Sequence, residues 1–276
     1  MNLVWAGLIV LGVAAVAIAA MLLVRRGAPE GSYFEDGDRA SGIFGVLATG
    51  FAVLIGFVVF LSFESFDTSR SGAEAEARTV VQQFETAQFL PVAVRARLSG
   101  DLVCYARTVI YQEWPRMQSG TLGNLKNPWS LEMLRILRTT EPHSASEQTA
   151  YAKWFDQRSD REDGRADRLH GGEGVIPLPV WIVLLIASGV IFIYMLFFAD
   201  SAERAIVQAT MMGGVAVVIT STLLLLVFLD HPYKSGTGGL RPVAMKRALA
   251  QIGQERTFAR ERIIIPCDSK GIARAA

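Results

Sequence analysis

The chain has 276 residues, 51% of them hydrophobic, and 27 Lys and Arg against 26 Asp and Glu leave a net charge of +1. That apolar share is high for a soluble domain, and the near-neutral balance excludes the basic excess that a nucleic-acid binder carries. Two cysteines, Cys104 and Cys267, are far too few for a disulfide framework.

Leu3 to Val24 is a run without a charge. It exceeds the roughly 7–15 residues of a signal-peptide core and has no Lys or Arg before it, so it reads as an uncleaved first span rather than a cleaved leader. Arg25 to Ser41 is a short polar loop. Its run Glu35-Asp36-Gly37-Asp38 lacks the alternating acids and closing Glu of a calcium-binding EF-hand and reads as a solvated loop.

Ile43 to Phe63 is uncharged and long enough to cross a hydrocarbon core of roughly 30 Å. Beyond it Ala73, Ala77, Val80, Val81, Phe84 and Ala87 keep helical spacing, so the span should continue into a soluble amphipathic helix, with a bend expected near Ser71–Gly72. Two rows lie on the span. Ala48, Ala52 and Gly56 form a small-residue row suited to close helix packing in lipid. Ile55, Val59 and Phe63 lie four apart on a neighbouring stripe. If that stripe faced an axis in an assembly, its apolar ring could expel water and block ions without any charge; the plainer reading is contact with lipid or another helix.

From Glu64 to Gly174 no span occurs, and the segment reads as helical. A helix over roughly Val92 to Glu113, with Leu98, Leu102, Tyr105, Val109 and Ile110 inward, should end at Trp114-Pro115 because Pro cannot continue the backbone ladder. Leu122 to Asn127 is turn-rich. A short helix from Pro128 to Thr140 should turn Leu131, Leu134 and Leu137 inward. Ser144 and Glu147 have capping-box spacing before a last helix bearing Tyr151, Trp154 and Phe155. Its end, Asp156 to Arg168, alternates in charge like a solvated face.

Leu178 to Phe198, entered through Pro177 and Pro179 with Trp181 at interface depth, is a third span, and Ala205 to Leu229 a fourth. The tail after Asp230-His231-Pro232 is basic. The expected organisation is all-α: a membrane hairpin at 1–66 with spans at about 3–24 and 43–63, a helical cytosolic domain at 67–174, a second hairpin at 175–230 with spans at about 178–198 and 205–229, and a basic tail at 231–276.

Four spans put both termini on one side. Near the membrane that side carries Arg70, Arg78, Arg158, Arg161, Arg165, Arg168, Lys234, Arg241, Lys246 and Arg247, against Arg25, Arg26, Arg39 and Arg204 on the other. The excess favours a cytoplasmic domain and cytoplasmic termini, in a bacterial inner membrane or equivalent, and reduced thiols at Cys104 and Cys267. No HExxH, GxxxxGK[ST], GxSxG or paired CxxC pattern occurs, His143, His170 and His231 lie far apart, and no charge lies inside a span. Neither an enzyme nor a metal or other cofactor is expected.

Certain short motifs recur in order: Glu76-Ala77, Tyr105, Glu113-Trp114-Pro115, Arg165 with Arg168-Leu169, Leu178-Pro179 with Trp181, and Leu229-Asp230 with Pro232 and Gly236. In these the chain resembles the bestrophin-like domain family, membrane proteins of bacteria and plants named for remote similarity to bestrophin anion channels. The resemblance implies four membrane helices with a helical cytosolic domain, a homo-oligomer of five subunits, small ions as the transported species, and a hydrophobic neck from the second span, where Ile55, Val59 and Phe63 resemble the family row with Val in the middle place. The acidic calcium clasp of the animal channels has no counterpart. Two other classes stay open: a membrane scaffold or sensor using the basic tail on lipid, and a stator-type energy transducer, which needs a partner helix carrying the ion-binding acid.

Overall fold

The computed structural model describes residues 3–121, 126–172, 174–258 and 263–274. The expected Leu122–Asn127 link therefore falls largely outside the described residues, as do the tail bases Arg260 and Arg262. The described residues form nine α-helices and no strand. They are α1 (Leu3–Arg25), α2 (Gly37–Ala87), α3 (Val92–Thr108), α4 (Trp114–Ser119), α5 (Pro128–Arg138), α6 (Ala145–His170), α7 (Leu178–Phe197), α8 (Ala205–Asp230) and α9 (Val243–Phe258), with a π-helical turn at Val109–Glu113. Helices α1, α2, α7 and α8 are long and apolar enough to cross a membrane. The chain divides into two compact units: Met1–Glu64 with Gly174–Asp230 and Gly236–Gly238, and Ser65–Glu173 with His231–Ser235 and Gly239–Ala276.

The first unit is the membrane part. Ala14, Ala17 and Met21 of α1 pack with Met212 and Ala216 of α8 and with Met195 of α7, small residues alternating with flexible thioethers that fill the gaps. Ile55 of α2 meets Leu184 of α7 and Leu226 of α8. At the loop end, the Arg25 guanidinium donates to the carbonyls of Ser201 and Glu203, and Phe34, Phe44, Tyr194 and Phe198 form an aromatic cluster. Asp36, in the acidic run, accepts the Arg39 N–H at 2.9 Å and so caps the start of α2.

The second unit is a helical domain built around α3 and the π turn after it, whose Leu98, Leu102, Tyr105 and Val109 are fully buried. Phe84, Met133, Leu137 and Trp154 close on them. Each such side chain contributes roughly 1.5–3 kcal/mol by burial. The Ser144–Glu147 capping box forms and starts α6.

Five expectations are corrected. Helix α2 runs unbroken from Gly37 to Ala87, and Gly72, where a bend was expected, is a crossing point (below). The chain stays helical through Trp114-Pro115: the π turn at Val109–Glu113 widens the ladder and Pro115 sits at the start of α4, where its missing N–H costs nothing. Helix α5 is rotated from its expected phase, burying Trp129, Met133, Ile136 and Leu137 while Leu131 is exposed. The tail is not a free basic segment, because α9 inserts Met245, Ala248 and Ile252 into the core of this unit. Finally, Cys104 and Cys267, expected as two separate reduced thiols, form a pair in this structure. They are joined in a disulfide with both residues fully buried, since the fold returns the tail to α3 across 163 residues.

Candidate functional site

On α2 the three stripe residues do not share one environment. Each step of four advances about 40° past a full turn, so the stripe swings round the helix as it climbs. Ile55 is buried against Leu184 and Leu226, Val59 packs at the edge of the same cluster, and Phe63 is exposed. The small row behaves in the opposite way. Ala48 is half-buried, while Ala52 and Gly56 are exposed and, with Val53, Phe57 and Phe60, line an open apolar groove along the helix. In the protomer the small residues and the two phenylalanines therefore lie on the broad exposed side of α2, together with Leu61 and Phe63.

In the second unit the motif residues gather into one buried ionic knot. Two glycines make it possible. A Cβ on Gly164 of α6 would come within 2.7 Å of the Glu76 nitrogen, and one on Gly72 of α2 within 2.8 Å of the Gly164 carbonyl oxygen, so the two helices touch backbone to backbone there. One turn further along each helix, Arg168 meets Glu76. The fully buried Arg168 guanidinium donates to both Glu76 oxygens, at 2.5 and 3.0 Å, and to Glu113 Oε2 at 2.7 Å. Glu113, turned inward by the π turn, also accepts from Arg165 at 2.5 Å and from Asn127 at 3.0 Å, and the Tyr105 hydroxyl donates to Glu76 at 2.5 Å. The Tyr233 hydroxyl donates to the Arg168 carbonyl, and Trp114 packs edge-on against Tyr233 while its indole N–H donates to the Leu240 carbonyl. Pro115, beside Trp114, seats the π turn that aims Glu113.

Burial alone would raise the Glu113 pKa, but Arg168 and Arg165 outweigh it and hold the carboxyl below its usual range. Burial and the Glu76 charge push the Tyr105 phenol well above its ordinary value. Two carboxylates thus face two guanidiniums with almost every donor and acceptor satisfied. The knot has no exposed nucleophile and no poised acid or base, so it positions helices rather than performing chemistry.

Arg161 extends the knot and was missed by the sequence reading, which took Asp156–Arg168 for a solvated face. It is fully buried, donates to Gln83 at 2.7 Å and Ser130 at 2.9 Å, and lies 4.7 Å over the Tyr105 ring. The signal was present: Arg161, Arg165 and Arg168 recur at i, i+4 and i+7 around Gly164, one face of α6.

The remaining motif residues act at chain entry points. In the first unit, Asp230 at the end of α8 accepts the N–H groups of Val175 and Ile176 at 2.7 and 2.8 Å, fixing the lead into α7 just before Pro179, while Trp181 packs beside Ile55. In the second, the Pro232 carbonyl accepts the Leu240 N–H at 2.8 Å. Among the described residues, no group of three or more His, Cys, Asp or Glu is arranged to hold a metal ion.

The geometry defines a class, a four-span helical membrane protein with a second helical unit. The Bestrophin-like domain family matches residues 11–245, and the chain belongs to that family. Solved structures of a bacterial bestrophin homologue from Klebsiella pneumoniae, two of them each carrying a single substitution, share its fold. They superpose with TM-scores of 0.66 and 0.65 at 13% identity, covering 88% of this chain and 98% of theirs. A structure described as a membrane protein superposes equally well, with a TM-score of 0.65 at 13% identity over the same shares. No curated protein matched the sequence.

Proposed function

We propose that this chain is the subunit of a homo-oligomeric anion channel of bestrophin type, with α2 lining the pathway. The observation that carries the reading is the unpartnered stripe on α2. Val53, Phe57 and Phe60 are 55%, 66% and 63% exposed at i, i+4 and i+7, and Ala52 and Gly56 beside them leave room for a neighbouring helix. A ring of these side chains forms a dewetting neck. Phe63 flanks it, whereas in the protomer Ile55 packs against Leu184 and Leu226 with Val59 at the edge of that cluster. Five subunits follow from the family resemblance. The excess of near-membrane bases supports a cytoplasmic second unit and cytoplasmic termini. The scaffold reading would use the bases that α9 leaves exposed, Lys246 and Arg247, while Met245, Ala248 and Ile252 are buried in the second unit.

The test is chloride flux from purified protein in liposomes. Val53→Ala, Phe57→Ala and Phe60→Ala together should widen the neck and raise flux about tenfold or more, the gain expected when an apolar constriction wets. Ile55→Ala should lower thermal stability and leave flux near wild type. Equal flux with and without the triple substitution, in protein of unchanged oligomeric mass, refutes the neck. No flux from either, with that mass intact, refutes the channel.

A further inference from the structure

The only two cysteines of the chain close a strap over α3. Ile264 donates its N–H to the Ala96 carbonyl, and its own carbonyl lies so close to Gly100 that a Cβ there would overlap it. Cys267 then bonds Cys104, and beyond it the strap turns on Asp268, whose side chain accepts the N–H groups of Lys270 and Ile272. The Gly271 carbonyl receives the Trp129 indole N–H at 2.9 Å and the Thr108 hydroxyl at 3.1 Å. Arg107 donates to the Asp268 carbonyl at 3.0 Å and approaches the Cys267 sulfur at 3.8 Å. Ile264 and Ile272 stay exposed. The strap is thus held by these hydrogen bonds, by Ile263 and Ile265 packed on the core and by one covalent link between fully buried cysteines, so a reductant reaches the disulfide only when this short terminal segment opens locally.

We propose that Cys104–Cys267 is a reversible redox modification site whose reduction by a protein dithiol of the thioredoxin class releases residues 263–274 from α3. The exchange consumes two thiols of the reductant and returns its disulfide, leaving Cys104 and Cys267 as thiols. Arg107 stabilises Cys267 as the leaving thiolate, which speeds the exchange. The inference rests on the cytoplasmic orientation above, because disulfides that form in that compartment are typically transient and redox-responsive, whereas those facing outward are permanent staples.

The test uses the full-length chain in the membrane of growing cells, acid-quenched and labelled with a thiol-reactive mass tag. The pair should take up two tags in untreated cells, lose them after a pulse of diamide and regain them when the oxidant is removed. Purified protein, once reduced, should be cleaved by trypsin after Lys270 about tenfold or more faster than the oxidised form, the lower end of what a disulfide contributes. Cys267→Ala and Cys104→Ser should each match the reduced form. Three results overturn the clasp: thiols that persist under diamide, a disulfide that persists in untreated cells, or equal cleavage of the oxidised and reduced forms. If that persistent disulfide is opened by a membrane-impermeant phosphine added to spheroplasts, the orientation falls with the clasp. The liposome flux reading is independent of all of these outcomes.

Discussion

Arg168→Met tests whether the ionic knot holds the second unit together. The guanidinium is fully buried and makes three charge-assisted hydrogen bonds, two to Glu76 and one to Glu113. Methionine keeps an apolar stem but removes the cation, leaving the Glu76 carboxylate buried with the Tyr105 hydroxyl donating to it. Glu113 is less affected, because Arg165 and Asn127 still donate to it. Removing one side of a buried ion pair costs about 3–5 kcal/mol. At about 2–4 °C per kcal/mol for a unit of this size, the melting temperature should fall by about 6–20 °C. The double variant Glu76→Gln with Arg168→Met should regain part of that loss, since the amide needs no counter-charge and still accepts from Tyr105. The assay is the full-length protein in mild detergent, heated in steps, with the folded fraction read by size-exclusion chromatography. A fall below about 2 °C for the single variant, or a double variant less stable than the single one, would refute the claim that charge pairing holds α6 on α2.

Gly164→Ala should cost about 1–3 kcal/mol or more, because its methyl group must part α6 from α2, whereas Gly253→Ala, with open space around it, should cost far less; thermal unfolding of both variants checks this. Asp101, buried on α3, has its pKa raised from 3.8 to about 7 by burial and by Glu132, against the pull of Arg97 and Arg135. The folded state therefore holds a proton that the unfolded chain releases near pH 4, so stability should fall as pH rises from about 4 to 7, by up to about 4 kcal/mol, and level off above. Asp101→Asn should flatten that slope in melting curves taken from pH 5 to 8; an unchanged slope would assign it to other groups.

The membrane spans were legible because uncharged length suffices to mark them, and the start of α6 because Ser144 and Glu147 form their capping box as spaced. The phase of α5 was not. Leu131, Leu134 and Leu137 fit a helical period as well as Trp129, Met133, Ile136 and Leu137 do, and only the packing partner on α3 decides between them. Helix α9 was overlooked because Lys246, Arg247 and Arg256 dilute its apolar stripe, although Met245, Ala248 and Ile252 keep helical spacing. The disulfide was illegible for a different reason: a separation of 163 residues carries no information about proximity until the fold supplies it.

The motif residues show what a family signature reports. Glu76, Tyr105, Glu113, Trp114, Arg165 and Arg168 are all buried and hydrogen-bonded to one another or to adjoining backbone. Asp230 and Pro232 tie down the backbone at the ends of α8 and of the loop after it. A buried charge is costly unless every partner is present, so these positions are interdependent: losing one strands the next. That makes them a sound marker of the fold and a poor marker of activity. The side chains proposed to set conduction are under no such constraint. On α2 the unpartnered face, Val53, Phe57 and Phe60, carries no hydrogen-bonding obligation within the protomer, so its size and shape can vary without unfolding the chain. Differences in permeation within the family should therefore track the bulk of that stripe while the knot in the second unit stays unchanged.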